Sequence, residues 1–203
     1  MTAFAIAGLC GAAVWVEVGG WRMPALGFAG LVGGYLYTAP SAKFVYRGLG
    51  ELVVGLTFGP LVTMGSYAVQ AYKVKAEGFW CGVPVGMLVA LILIVNEVPD
   101  YEADKAAGKK TLVVRMGRGA GVVLAGALYA LVYIVTAFIV LKGYAPRGAA
   151  WTMATLPIAT FTIVWLWKNR RSPLRLRVSS AGGILTHLAY SIILATAYLA
   201  GRK

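Results

Sequence analysis

Apolar residues in this chain come in long, nearly unbroken runs, and the polar positions gather in the gaps between them. Runs of about 17 to 25 apolar residues are long enough to cross the hydrocarbon of a bilayer as helices. Seven such runs stand out, at roughly 3–18, 24–38, 50–71, 78–96, 120–141, 149–167 and 183–200. The pattern predicts an all-α fold, a polytopic transmembrane helical bundle forming one integral-membrane domain over residues 1–203. Gly59-Pro60 in the middle of the third run predicts a kink, because proline removes a backbone donor and clashes with the preceding turn. Pro99, just past the fourth run, predicts a bend or restart for the same reason.

Composition strengthens this picture. Hydrophobic residues make up 60% of the chain, charged residues 13%, and the mean hydropathy is +0.76, which is too much apolar surface for a water-soluble domain to hide. The net charge of +12 does not point to nucleic acid, because the basic residues are scattered among the gaps without stacking aromatics beside them. They report orientation instead. Twelve Lys and Arg fall in the gaps on one side, around Lys43–Arg47, Lys105–Arg118 and Lys168–Arg177, against seven on the other, including Arg202 and Lys203. The richer side is expected to be cytoplasmic. Cys10 and Cys81 have no CxxC partner and read as packing residues.

The polar stretch that calls for chemistry runs from Asn96 to Gly117, NEVPDYEADKAAGKKTLVVRMG. Glu97, Asp100, Glu102 and Asp104 fall here, four of the seven acids in the chain. Asn96, Asp100 and Asp104 are four apart, so on a helix each is turned about 40° from the last and displaced about 6 Å along the axis. Three oxygen-bearing side chains along one face suit a hard divalent cation such as Mg²⁺, which takes one or two carboxylates and completes its shell with water and phosphate oxygens. Imidazole and thiolate ligands are missing from the stretch, which disfavours zinc and copper. Lys105, Lys109, Lys110 and Arg115 follow at once. Acids succeeded by amines suit a metal-bridged polyanion, and diphosphate is the natural candidate. In a bilayer, a diphosphate joined to a long apolar tail is a prenyl diphosphate. Tyr37 at the end of the second run and Lys43, Tyr46 and Arg47 just after it form a second cluster of hydroxyls and cations that could hold an anion.

On these residues the sequence resembles the UbiA superfamily of intramembrane prenyltransferases. The match lies in the superfamily's second Asp-rich motif, here Asn96-x-x-x-Asp100-x-x-x-Asp104, followed by Gly108 to Leu112. The stretch YTAPSAKFVYRGLGELVVGLTFGP is similar to the Tyr-rich loop and following helix of the branch that prenylates 1,4-dihydroxy-2-naphthoate in menaquinone biosynthesis. That branch usually carries a second proline and a second lysine where this chain has Ser41 and Val45.

The resemblance implies a nine-span helical barrel, of which this chain supplies about seven spans, and a Mg²⁺-dependent transfer of a polyprenyl group from prenyl diphosphate to an aromatic acceptor. Asn96, Asp100 and Asp104 would serve the metal, with Asp100 and Asp104 essential to catalysis. Lys43, Arg47, Tyr37, Lys105 and Lys109 would engage the diphosphate. The first Asp-rich motif of the family has no counterpart before Asn96, so an N-terminally incomplete chain is expected. 4-Hydroxybenzoate is an alternative acceptor. A non-catalytic fragment and an ion-coupled transporter are the alternatives to an enzyme.

Overall fold

The computed structural model describes residues 2–201, apart from the side chains of Pro173 and Leu174. Arg202 and Lys203, counted above in the charge balance, and the two ends of the expected 1–203 domain lie outside the described residues.

Each apolar run is a helix. α1 spans Thr2–Val18 and α2 Arg22–Thr38, 17 residues each. The third run contains α3 (Gly50–Leu56), a five-residue π-helical segment (Thr57–Leu61) and α4 (Val62–Ala71), in continuous succession. α5 covers Ala76–Ala106, the short α6 Leu112–Met116, and α7 Arg118–Leu141. A 3₁₀ segment, Arg147–Thr155, runs directly into α8 (Leu156–Asn169), and α9 covers Pro173–Ala200. Five of these stretches are long and apolar enough to cross a membrane: 50–71, 76–106, 118–141, 147–169 and 175–200. Among the described residues there is no β-strand.

The expected disruption at Pro60 takes the form of a π-helical turn, which absorbs the missing donor by widening the helix. The turn sits where α5 crosses. A Cβ on Gly59, Gly82 or Gly86 would collide with backbone of the opposing helix, so the two helices meet main chain to main chain, as small residues permit in lipid. Thr63 Oγ1 fastens the crossing by donating to Gly78 O across it at 2.7 Å.

The helix does not restart at Pro99, one of the two outcomes expected there: α5 continues through both Pro84 and Pro99 to Ala106. Its 31 residues extend about 46 Å, against a hydrocarbon slab of about 30 Å. One end of α5 must therefore project beyond the slab, and the polar end from Asn96 onward is the one that water favours.

α5 is the axis of the fold, packing against α3, α4, the π segment, α7 and α9. Leu88, Leu91, Ile94, Val95 and Val98 of α5 join Val122, Ala125 and Val132 of α7 and Leu194 of α9 in one buried core. Lipid tails are as apolar as leucine, so packing and interhelical hydrogen bonds hold these helices together. Tyr133 pairs with Thr155 at 2.7 Å, and Thr136 with Tyr190 at 2.5 Å. α1 and α2 carry no buried residue and lie against the bundle as an outer hairpin.

Candidate active site

Two loops meet at the polar end of α5, and their own backbones hold them together. The loop of residues 39–49 carries a 3₁₀ turn at Phe44–Tyr46, and the loop of residues 107–111 links α5 to α6. Lys110 N donates to Tyr46 O at 2.8 Å. The Arg115 guanidinium closes the junction, donating to Arg47 O at 2.7 Å and to Lys110 O at 2.9 Å. Gly48 has φ +66°, and a Cβ there would lie 3.0 Å from Lys110 O. Only glycine accepts both the left-handed backbone and that approach.

This junction brings together residues more than sixty positions apart. Lys43, itself in the left-handed region at φ 45°, has Nζ 5.9 Å from the centre of the Tyr46 ring, and Lys109 Nζ lies 5.8 Å from the same ring. Both are within cation–π range of its face. Lys109 Nζ also donates to Asp104 Oδ1 at 2.6 Å, and Asp104 is buried. The hydrogen bond to Asp104 raises the Lys109 ammonium above the ordinary lysine value, so it stays charged at neutral pH. Tyr37, at the end of α2, is within electrostatic reach of Lys109 and of the Glu51 and Glu97 carboxyl groups. Its ring lies 3.3 Å from where a Cβ on Gly50 would stand.

The remaining expected site residues divide. Asn96, Asp100 and Asp104 lie on consecutive turns of α5, with Asn96 half-buried and Asp100 exposed. Asp100 enters no ion pair and Asn96 makes no side-chain hydrogen bond among the described residues, which leaves hard oxygen donors free. Among those residues, no three His, Cys, Asp or Glu side chains are grouped so as to hold a metal ion. The donor set fits Mg²⁺ in chemistry, as two carboxylates and an amide oxygen from one helix face, with phosphate oxygens completing the shell. Arg47 reaches back to Ser41 O at 3.4 Å. Lys105 turns away from the Tyr46 cluster to the Tyr101 ring, 5.8 Å off. Arg118 covers that ring at 4.8 Å while pairing with Glu102 at 3.3 Å.

Three residues matter here that motif reading leaves unassigned. Arg115 is the clasp just described. Glu51 sits in the first turn of α3, where an acid complements its own helix, yet its Oε1 faces Leu112 N at 3.5 Å. Glu97 Oε2 accepts from the neighbouring Val113 N at 3.2 Å. No spacing rule in the sequence links either acid to residues 112–113.

Away from this pole, an apolar hollow of about 800 Å³ lies between α1, α2 and the π-helical segment, with Trp15, Phe28, Leu31, Leu61 and Val62 among its lining.

The sequence model of the UbiA prenyltransferase family matches residues 1–199. The chain is 33% identical over 125 residues to a 1,4-dihydroxy-2-naphthoate octaprenyltransferase of Bacillus subtilis (strain 168), covering 62% of this chain and 40% of that protein. It is 30% identical over 165 residues to a 2-carboxy-1,4-naphthoquinone phytyltransferase of Synechocystis, covering 81% and 54% respectively. A human protein named UbiA prenyltransferase domain-containing protein 1 is 33% identical over 132 residues, 65% of this chain and 38% of its own length. The chain thus spans about half or less of the length of these curated relatives.

Proposed function

The chain belongs to the UbiA prenyltransferase family, and from that premise we propose that it transfers a polyprenyl group from prenyl diphosphate to an aromatic acceptor within the membrane. The acceptor we propose is 1,4-dihydroxy-2-naphthoate, which makes the product a menaquinone precursor. The observation that carries this reading is the meeting of Lys43 and Lys109 on the two sequence-distant loops, both beside Tyr46, with Lys109 bonded to Asp104. Two cations from separate loops at the end of an acid-bearing helix suit a diphosphate and not a lone carboxylate.

Asn96, Asp100 and Asp104 would hold Mg²⁺, which when bound supplies positive charge against the departing diphosphate. Lys43 and Lys109 place their ammonium groups on the diphosphate oxygens, and Arg47, Tyr37 and Lys105 stand near enough to the pole to contribute donors after side-chain rearrangement. These cations stabilise the negative charge that grows as the bond from prenyl carbon to oxygen breaks. The electron-rich acceptor carbon then attacks the allylic cation, and the adduct loses its carboxyl group as CO₂, whose bonding electron pair restores the aromatic ring while diphosphate departs as the leaving group. The apolar hollow beside α2 has the lining chemistry that a prenyl tail would pack against. The excess of basic residues on this pole supports a cytoplasmic orientation.

The test uses the purified protein in lipid nanodiscs with farnesyl diphosphate, Mg²⁺ and 1,4-dihydroxy-2-naphthoate. Acceptor-dependent diphosphate release is expected, lost in Asp100→Ala. Prenylation of 4-hydroxybenzoate in preference to the naphthoate would overturn the acceptor. Binding without release would indicate a non-catalytic chain. Solute flux without release in proteoliposomes would indicate a transporter.

A further inference from the structure

The two acids that face α6 are placed at an expense that the site itself does not explain. Glu51 is 4% exposed, and its Oε2 is buried with no donor in reach. Glu97 accepts from the next amide along, Val113 N, beside the one that Glu51 faces. Neither acid has a lysine or arginine partner among the described residues. Two neighbouring acids at an anion-binding pole would repel the anion if they faced it. Their oxygens instead face the amides of Leu112 and Val113, at 3.5 and 3.2 Å.

Those amides are a fulcrum for the site. Thr111 caps α6 by accepting from Val114 N at 3.3 Å, and two residues earlier the chain carries Lys109. On the other side of the junction, Glu51 begins the helix that follows the loop bearing Lys43 and Tyr46. One buried side chain therefore reaches from the end of the first loop to the end of the second.

We propose that Glu51 is a positioning residue which, together with Glu97, anchors the amides of Leu112 and Val113 and so fixes Lys109 relative to Lys43 and Tyr46. The functional consequence rests on the prenyl-diphosphate reading above. Misplacing a charged group by about 1 Å can cost up to a hundredfold in a preorganised site. Glu51→Ala removes the anchor, whereas the carbonyl oxygen of Glu51→Gln still accepts from Leu112.

The experiment compares wild type, Glu51→Ala and Glu51→Gln in nanodiscs by two readouts: hydrogen exchange of residues 107–116 without ligand, and affinity for farnesyl diphosphate with Mg²⁺. In Glu51→Ala we expect faster exchange confined to residues 107–116, and affinity weakened about tenfold. Glu51→Gln is expected to restore affinity to within about threefold of wild type, a rescue that loss of general stability does not predict. Unchanged exchange at Leu112 and Val113 in Glu51→Ala overturns the anchor. So does equal loss in both variants with exchange spread through α5 and α7. If Glu51→Ala does not fold, Glu51→Asp, which withdraws the carboxyl by one methylene, takes its place in the comparison. A wild-type chain that binds no farnesyl diphosphate overturns the functional reading, and the exchange arm still decides the anchor.

Discussion

Replacing Lys109 with methionine separates two roles that its contact with Asp104 joins. Lys109 Nζ is 2.6 Å from Asp104 Oδ1, with the lysine side chain 31% exposed and the aspartate 10%. A hydrogen bond to a charged group contributes about 1.5–3 kcal/mol when shielded from water, and an exposed ion pair less than about 1 kcal/mol. Partial exposure of the lysine puts this contact between the two, at about 1–2 kcal/mol. In the resting site that free energy ties Asp104 to Lys109. In Lys109→Met it becomes available to the next cation Asp104 meets, so affinity for a divalent ion alone should rise about five- to thirtyfold. Affinity for prenyl diphosphate should fall, because one of the two cations beside Tyr46 is gone. Opposite shifts for metal and substrate are the signature. Mn²⁺ binding can be followed by electron paramagnetic resonance in nanodiscs, and farnesyl diphosphate binding measured at saturating metal. A folded Lys109→Met variant whose Mn²⁺ affinity is unchanged or weaker would refute the assignment of Asp104 as a metal ligand held in reserve by Lys109.

Four other outcomes are expected. Gly86→Ala sets a Cβ against the Gly55 carbonyl at the helix crossing and should cost about 1–3 kcal/mol by overpacking. Gly65→Ala, which meets nothing within 4 Å, should be neutral or stabilising by up to about 1 kcal/mol, and melting in detergent separates the two. Tyr190→Phe removes the 2.5 Å bond to Thr136 and should destabilise by about 1 kcal/mol, read in the same assay. Lys109 is raised above the ordinary lysine value of 10.5 by Asp104, so its contribution is whole below that value and lost only as pH climbs through the higher folded value. Farnesyl diphosphate affinity should therefore show no Lys109 titration between about pH 7 and 9; a step there that disappears in Lys109→Arg would contradict the placement.

The spans were legible because a bilayer imposes one length on every helix that crosses it, and the apolar runs carry that length openly. Residues 50–71 and 118–141 match their runs to within two residues. Less was legible where local chemistry and context compete. Pro99 reads as a point of bend or restart from its own geometry, yet α5 passes through it as one continuous helix, flanked by the buried Val98 and Asp104. The nine-residue 3₁₀ segment before α8 was hidden inside an apolar run. There the Thr152 and Thr155 hydroxyls bond carbonyls three residues back, a local preference that hydropathy does not register.

In the candidate site, the side chains proposed to meet ligand could be picked out from the sequence, and the residues that hold the two loops together could not. Lys43, Asp104 and Lys109 announce themselves by type and spacing. Arg115 and Glu51 do not, because their partners are backbone atoms 68 and 61 positions away. A main-chain carbonyl or amide leaves no trace in the side-chain alphabet. Lys105 stands in the same run of amines as Lys109, and its ammonium lies over Tyr101 rather than Tyr46, a difference of neighbour that a run of like residues does not disclose.

The length of α5 ties these points together. A helix limited to the slab would end near Asn96, leaving Asp100 and Asp104 on a loop with no fixed relation to each other. An upright α5 is longer than the hydrocarbon slab by about 16 Å, enough to carry its acids into a region where charge is tolerated while keeping them on one helix. Beyond the slab, water would compete for every backbone donor and acceptor in the two loops. The Arg115 clasp and the inward-turned Glu51 and Glu97 answer that competition. On the proposed reading the longer helix would supply the ligands and a buried set of backbone contacts their precision, so loss of either should spoil diphosphate binding in a different way. Shortening α5 would remove metal and substrate affinity together, whereas loosening the 107–116 segment would weaken the grip on substrate and leave Asp100 able to bind a cation.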